Sequence, residues 1–145
     1  MDTSREGQLN EALELFFFAY REFTAHPDEV LAERGLQRVH HRILYFVGRN
    51  PGLAVNQLLA TLGVSKQALN APLRRLTELG LVESTVGATD RRVRELRLTK
   101  EGARLERNLS GSQRERMAVV FGKAGPEAEA AWRAIMGEVA SESVA

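Results

Sequence analysis

Residues 53–99 read LAVNQLLATLGVSKQALNAPLRRLTELGLVESTVGATDRRVRELRLT. Leu58, Leu59 and Leu62 fall on one face of a short helix predicted over Val55–Leu62. Leu69, Leu73, Leu76 and Leu79 form the inward row of a second helix, whose outward row is Lys66, Gln67, Asn70 and Arg74. Gly63 supplies the turn between them, because glycine takes a left-handed conformation without a steric penalty. Ser65 is placed to cap the second helix by accepting from an amide of its first turn, and Gly80 closes it. Pro72 removes one hydrogen bond from that helix and predicts a local bend. Two strand patterns follow, Leu81–Val86 and Val93–Leu98, with Gly87-Ala88-Thr89-Asp90 turning between them and Asp90-Arg91-Arg92 at the tip. A polar, basic helix beside an arginine-tipped hairpin is suited to touching a duplex at two grooves.

Helices flank this segment. The first is predicted from about Glu6 to Ala25, where Leu9, Leu13, Phe16, Tyr20 and Phe23 make one apolar stripe, widened by Phe17 and Phe18. His26-Pro27-Asp28 is expected to break it. A helix over about Gln37–Arg49 turns Val39, Ile43, Phe46 and Val47 inward and ends at Asn50-Pro51-Gly52. Thr99 caps a long fifth helix carrying Leu105, Leu109, Met117, Val120 and Phe121, with a candidate bend at Ser110-Gly111-Ser112. Pro126 fits the first turn of a sixth, on which Ala128, Ala131, Trp132, Ile135, Met136 and Val139 align. The fold class is mainly α with a small β-hairpin. The terminal stripes exceed what one small domain needs, so burial against a second copy is expected, giving a homodimer. The other arrangement has these helices folding back on their own chain.

The chain has 145 residues, 43% of them hydrophobic and 27% charged, the balance of a globular domain able to bury a core. Its net charge of +1 hides a segregation. Residues 1–33 carry 2 basic and 8 acidic side chains, residues 34–107 carry 14 and 6, and residues 108–145 carry 4 and 5. The positive excess therefore coincides with the helix-turn-helix pattern, where a phosphate-facing surface needs it. With no cysteine, disulfides, thiolate chemistry and Cys-based zinc sites are excluded. No apolar run is long enough to span a bilayer, and MDTSREGQLNE lacks a signal-peptide pattern, so a cytoplasmic location is expected. The motifs G-x-S-x-G, H-E-x-x-H and G-x-G-x-x-G are all missing, which argues against an enzyme. Adjacent helical residues point about 100° apart, so His40 and His41 are poorly placed to share a metal. No metal or cofactor is expected.

A recognition helix enters the major groove led by its N-terminal residues, here Ser65, Lys66, Gln67 and Asn70, with Arg74 a turn later. Gln and Asn can read adenine with paired hydrogen bonds, and Lys or Arg can read guanine or grip phosphate. The hairpin tip can reach the neighbouring minor groove, whose negative potential draws arginine. There Asp90 is expected to hold an arginine rather than to touch DNA. Arg75 lies off the outward row and reads as a structural partner.

NPGLAVNQLLATLGVSKQAL, LRRLTELGLV and DRRVRELRLTKEG together resemble the MarR family of bacterial winged-helix transcriptional regulators, over about Leu36–Gly102. The resemblance implies one domain over residues 1–145: a winged helix-turn-helix lobe at about 36–99, flanked by dimerisation helices at about 6–25 and 100–141. It implies a repressor that binds double-stranded DNA as a homodimer on an inverted repeat. Asp90 and Arg92 match the family's Asp-x-Arg wing motif, with Arg91 between them. The family often binds small aromatic or anionic effectors between its dimer helices and its lobe. Phe16, Tyr20, His41, Arg42 and Tyr45 are candidate lining for such a ligand, with ordinary packing as the competing reading. Three positions depart from the family pattern: Ala54 where a Ser or Thr cap is common, Ser84 where an arginine often follows GLV, and Pro72. A winged-helix module that grips a protein partner stays open as the alternative function.

Overall fold

The computed structural model describes residues 3–141. The elements run α1 (Thr3–Glu33), α2 (Arg38–Arg49), β1 (Leu53–Ala54), α3 (Val55–Leu62), α4 (Lys66–Glu78), β2 (Val82–Val86), β3 (Arg94–Leu98), α5 (Lys100–Ala124) and α6 (Pro126–Ala140). The chain divides after Ser110 into two compact units.

In the first unit, one core gathers Leu31 and Leu36 from the end of α1 and its turn, Ile43, Leu44 and Val47 from α2, and Leu58 from α3. Leu69 and Leu76 of α4, Leu81, Val82, Leu96, and Leu105 and Leu109 of α5 complete it. Each buried leucine contributes about 1.5–3 kcal/mol, so this cluster sets the lobe's geometry. Leu79 does not belong to the inward row of α4: it is 41% exposed. It lies at the C-cap, where the chain already turns away from the helix path.

The largest correction concerns α1, which continues through His26-Pro27-Asp28 to Glu33 with Pro27 inside it. An interior proline costs about 3 kcal/mol. Burial offsets that cost: Pro27 is fully buried, Leu31 is 1% exposed and Thr24 is 8% exposed on the same side. Asp28, expected to help break the helix, accepts two-pronged hydrogen bonds from Arg38 at the start of α2. The helix ends instead at Gly35, φ +68°, where the amides of Gly35 and Leu36 donate to the carbonyls of Ala32 and Leu31. The end of α4 has the same form: Gly80, φ +72°, and Leu81 donate to Thr77 and Leu76.

The sheet has three strands in the order β1-β3-β2, all antiparallel. Its hairpin is close to the expected one. The additional strand is β1, pairing Leu53 with Leu96 and Ala54 with Glu95. Two residues are too few to show a period in sequence. In the register Val82↔Leu98, Ser84↔Leu96, Val86↔Arg94, one face of the hairpin carries the buried Val82 and Leu96. That face is therefore the helix side of the sheet.

In the second unit, α5 runs on past Ser112 to Ala124, and Pro126 takes the first turn of α6. Phe121 and Trp132 meet edge to face at 5.2 Å. Val119, Val120, Ile135 and Val139 remain more than half exposed there. On α1 in the first unit, Leu13, Leu15 and Phe17 are likewise more than half exposed, and Leu9, Phe18 and Tyr20 nearly so.

Candidate nucleic-acid interface

Residues Leu59 to Ala68 make the turn that presents α4. Gly63 is left-handed at φ +65° and its amide donates to the Leu59 carbonyl at 2.9 Å. Ser65 Oγ accepts from the Ala68 amide at 3.1 Å, so the predicted cap forms. At Ala54, where α3 has no side-chain cap, Gln57 Oε1 accepts from the Ala54 amide at 3.0 Å. That bond satisfies a donor that precedes the first turn.

With α4 fixed by Leu69 and Leu76 beneath it, Lys66, Gln67, Asn70 and Arg74 all stand exposed. Among the described residues none of the four is tied to another side chain. Their polar groups are available to a partner along two and a half turns of helix. Pro72 is tolerated within α4. Arg75 points elsewhere, towards the turn at Gly35, in line with its structural reading.

At the hairpin tip, Asp90 grips Arg92 at three points. The Arg92 amide and Nε donate to Oδ1 at 3.0 and 3.1 Å, and Nη2 donates to Oδ2 at 3.2 Å. The Arg92 side chain is nonetheless 91% exposed. Its guanidinium holds the Asp90 carboxyl below the usual carboxylate range. Arg91 is exposed and has no such partner among the described residues. The tip thus presents one arginine in a fixed orientation and one free to move.

Sequence reasoning passes over Arg94. Nε donates to Ser84 Oγ and Nη2 to the Ser84 carbonyl, both at 3.0 Å across the hairpin. The signal was in the strand's alternation: Arg94, Leu96 and Leu98 share a face, and a basic residue opens a row that is otherwise apolar.

Of the candidate ligand-lining residues, the structure joins Tyr20 and Arg42, whose Nη2 donates to the Tyr20 hydroxyl at 3.4 Å. Arg38 lies over the same ring at 5.4 Å. Phe16 is exposed on α1. Tyr45 meets Phe46 edge to face at 5.1 Å. His41 Nε2 lies 2.8 Å from Ser110 Oγ on α5, and burial lowers its pKa. His40 faces the other way, with its Nδ1 accepting from the Gln37 amide at 2.9 Å.

The model of the MarR family matches residues 34–93. The chain is 50% identical over 131 residues to the HTH-type transcriptional regulator PetP of Rhodobacter capsulatus, covering 90% of this chain and 79% of that one. Among solved structures it is similar to NadR in complex with 4-hydroxyphenylacetate, with a TM-score of 0.72, 22% identity and coverage of 88% and 91%. It is also similar to an S. aureus MepR–DNA complex, with a TM-score of 0.67, 20% identity and coverage of 87% and 93%. The half-identical regulator, matched along nine-tenths of this chain, and the capped helix beside an arginine-tipped hairpin lead to one family: the chain belongs to the MarR family of winged helix-turn-helix transcriptional regulators.

Proposed function

We propose that this DNA-binding regulator acts as a cytoplasmic homodimeric repressor on an inverted-repeat operator. One observation carries the reading: Lys66, Gln67, Asn70 and Arg74 stand exposed on a Ser65-capped helix, beside a wing whose Arg92 is pre-set by Asp90. In this reading Gln67 and Asn70 read adenine edges, Lys66 and Arg74 take guanine or phosphate, and Arg91 and Arg92 enter the minor groove. Ser65 directs the free amides of the first turn towards the backbone. The domain assignment goes with it: the lobe at about 36–99 reads DNA, and the helices at about 6–25 and 100–141 join two copies. Dimerisation is supported by the exposed apolar side chains of α1 and α6.

A small anionic aromatic effector fits the same scheme. Arg42 offers charge beside the Tyr20 hydroxyl, while Arg38, paired with Asp28, covers one face of the ring. Phe16, His41 and Tyr45 complete the proposed surroundings, and NadR, a fold neighbour, carries 4-hydroxyphenylacetate. Binding there would alter the separation of the two recognition helices, so that they no longer fit successive major grooves.

In vitro selection of random duplex DNA on the purified protein, at two salt concentrations, tests the reading. Enrichment of an inverted repeat with half-sites about one helical turn apart is expected. No binding even at low salt would sink it and redirect the search to a protein partner. Adding 4-hydroxyphenylacetate to the selected complex tests the effector: release is expected, and unchanged affinity with unchanged melting would remove the anionic-aromatic assignment.

A further inference from the structure

Arg94 is the one basic side chain on the helix side of the β2–β3 hairpin. Its row continues Leu96 and Leu98, but it lies beyond the core, opposite Val86 near the tip. It is exposed, and among the described residues no carboxylate pairs with it. Its orientation is nonetheless set, because two of its donors are spent on the hydroxyl and carbonyl of Ser84. The remaining guanidinium N–H groups point away from that anchor with full charge. An arginine with no acidic partner, held by neutral groups on an exposed face, is suited to an anion.

The anion follows from place. A duplex read by a helix in the major groove and by a hairpin tip in the adjacent minor groove has a sugar-phosphate ridge between the two. The helix-side face of the hairpin, between its core-packed base and Arg91-Arg92, is the part of this protein that must cross that ridge. We propose that Arg94 and Ser84 form a phosphate-binding site, in which Arg94 contacts the DNA backbone and Ser84 positions it. This rests on the DNA-binding reading above. Such a contact fixes the register of helix and tip on the duplex and carries no sequence information itself. The site also bears on the missing arginine after Gly80-Leu81-Val82: Arg94 brings a guanidinium to position 84 from the neighbouring strand.

Non-specific binding is governed by phosphate contacts, so the test uses a duplex of random sequence and follows affinity against salt. Neutralising one phosphate contributes about 0.9 to the slope of log affinity against log salt. Between 50 and 200 mM salt, wild type should therefore lose about 3.5-fold more affinity than Arg94→Ala for each Arg94 engaged. Arg97→Ala is the control, since it removes the same charge from the opposite face of the same strand. It should leave the slope unchanged. Arg94→Lys and Ser84→Ala should both keep the slope, because the charge remains, while binding more weakly than wild type because the guanidinium is no longer held. Equal slopes for wild type and Arg94→Ala, or equal losses for Arg94→Ala and Arg97→Ala, would overturn the site and leave DNA binding standing. Wild type that fails to bind at low salt would overturn both.

Discussion

Arg92 shows what a single residue contributes when its orientation is fixed in advance. An arginine loses side-chain freedom on binding, and Asp90 has already restricted Arg92 at three points. The carboxylate stays ionised well into acid because the guanidinium depresses its pKa, so this arrangement persists across the neutral range. Arg92→Ala should weaken DNA binding and flatten its salt dependence by about one phosphate equivalent per contact. Wild-type binding by that variant would remove Arg92 from the interface. His40 behaves oppositely with pH. A backbone N–H can only donate, so the Gln37 bond requires an unprotonated Nδ1 on His40. Burial lowers the His40 pKa and the Arg75 charge acts in the same direction. Its folded pKa lies below the unfolded value of about 6.5, so its contribution to stability is full above that value. The contribution is lost as pH falls from there through the folded pKa. His41, also lowered by burial, adds to the trend. His40→Gln keeps an acceptor for the Gln37 amide, as in a capping box, but does not titrate. Melting curves between pH 7.5 and 5.5 should fall less steeply for that variant, and an identical fall would exclude His40 as a source.

The elements differ in how much of them was legible, and the differences have physical causes. The α3–α4 pair and the hairpin were readable because each boundary is enforced locally: Gly63 and Gly80 adopt left-handed backbone, Ser65 caps, and Arg94 to Leu98 alternate. The second half of α1 was not readable. Pro27 is a breaker by every local rule, and only the burial of Thr24, Pro27 and Leu31 against the lobe keeps the helix going. Strand β1 exists through pairing with Leu96 and Glu95, partners more than 40 residues away in sequence. Lys66, Gln67, Asn70 and Arg74 could be named in advance because exposure on a helix follows from spacing, whereas the Ser84–Arg94 contact depends on register. The junction of wing and α5 is likewise non-local. Thr99 Oγ1 donates to the Gly80 carbonyl at 2.6 Å and accepts from the Gly102 amide at 3.0 Å. A Cβ on Gly102 would collide with the Leu81 carbonyl oxygen. Gly102→Ala must therefore push α5 away from Leu81, the residue that precedes β2, and should cost about 1–3 kcal/mol or more. Gly111→Ala, in the same helix, meets nothing within 4 Å and should gain up to about 1 kcal/mol from helix propensity. Urea midpoints of the two variants should move in opposite directions from wild type; a neutral Gly102→Ala would show that α5 does not pack closely on Leu81.

At the scale of the whole molecule, polar and apolar surfaces are divided by role. The basic excess lies on residues 34–107, while the helix before it is acidic overall yet displays Leu9, Leu13, Phe16, Phe17 and Tyr20 outward. An acidic helix is not suited to a polyanion, and exposed apolar side chains such as these are the surface that a second copy covers in the proposed dimer. Two copies meeting there would also explain how short recognition helices achieve useful affinity: binding one half-site raises the local concentration of the second lobe by orders of magnitude. Leu13→Glu separates these possibilities because Leu13 is 70% exposed in the isolated chain. A substitution at so exposed a site should change a monomer's stability by no more than about 0.5 kcal/mol. In a dimer it places a charge in an apolar interface, where an unpaired ion is disfavoured by several kcal/mol. Sedimentation should give twice the chain mass for wild type and the single-chain mass for the variant at the same concentration. The wild-type melting temperature should rise with protein concentration, as linkage between folding and association requires. DNA binding supplies the final discrimination. The monomeric variant should keep weak, salt-sensitive attachment to any duplex but lose its preference for an inverted repeat over a single half-site. A wild type that sediments as a monomer and still prefers the repeat would mean that the two lobes meet only on the DNA, and that the apolar face of α1 serves some other partner.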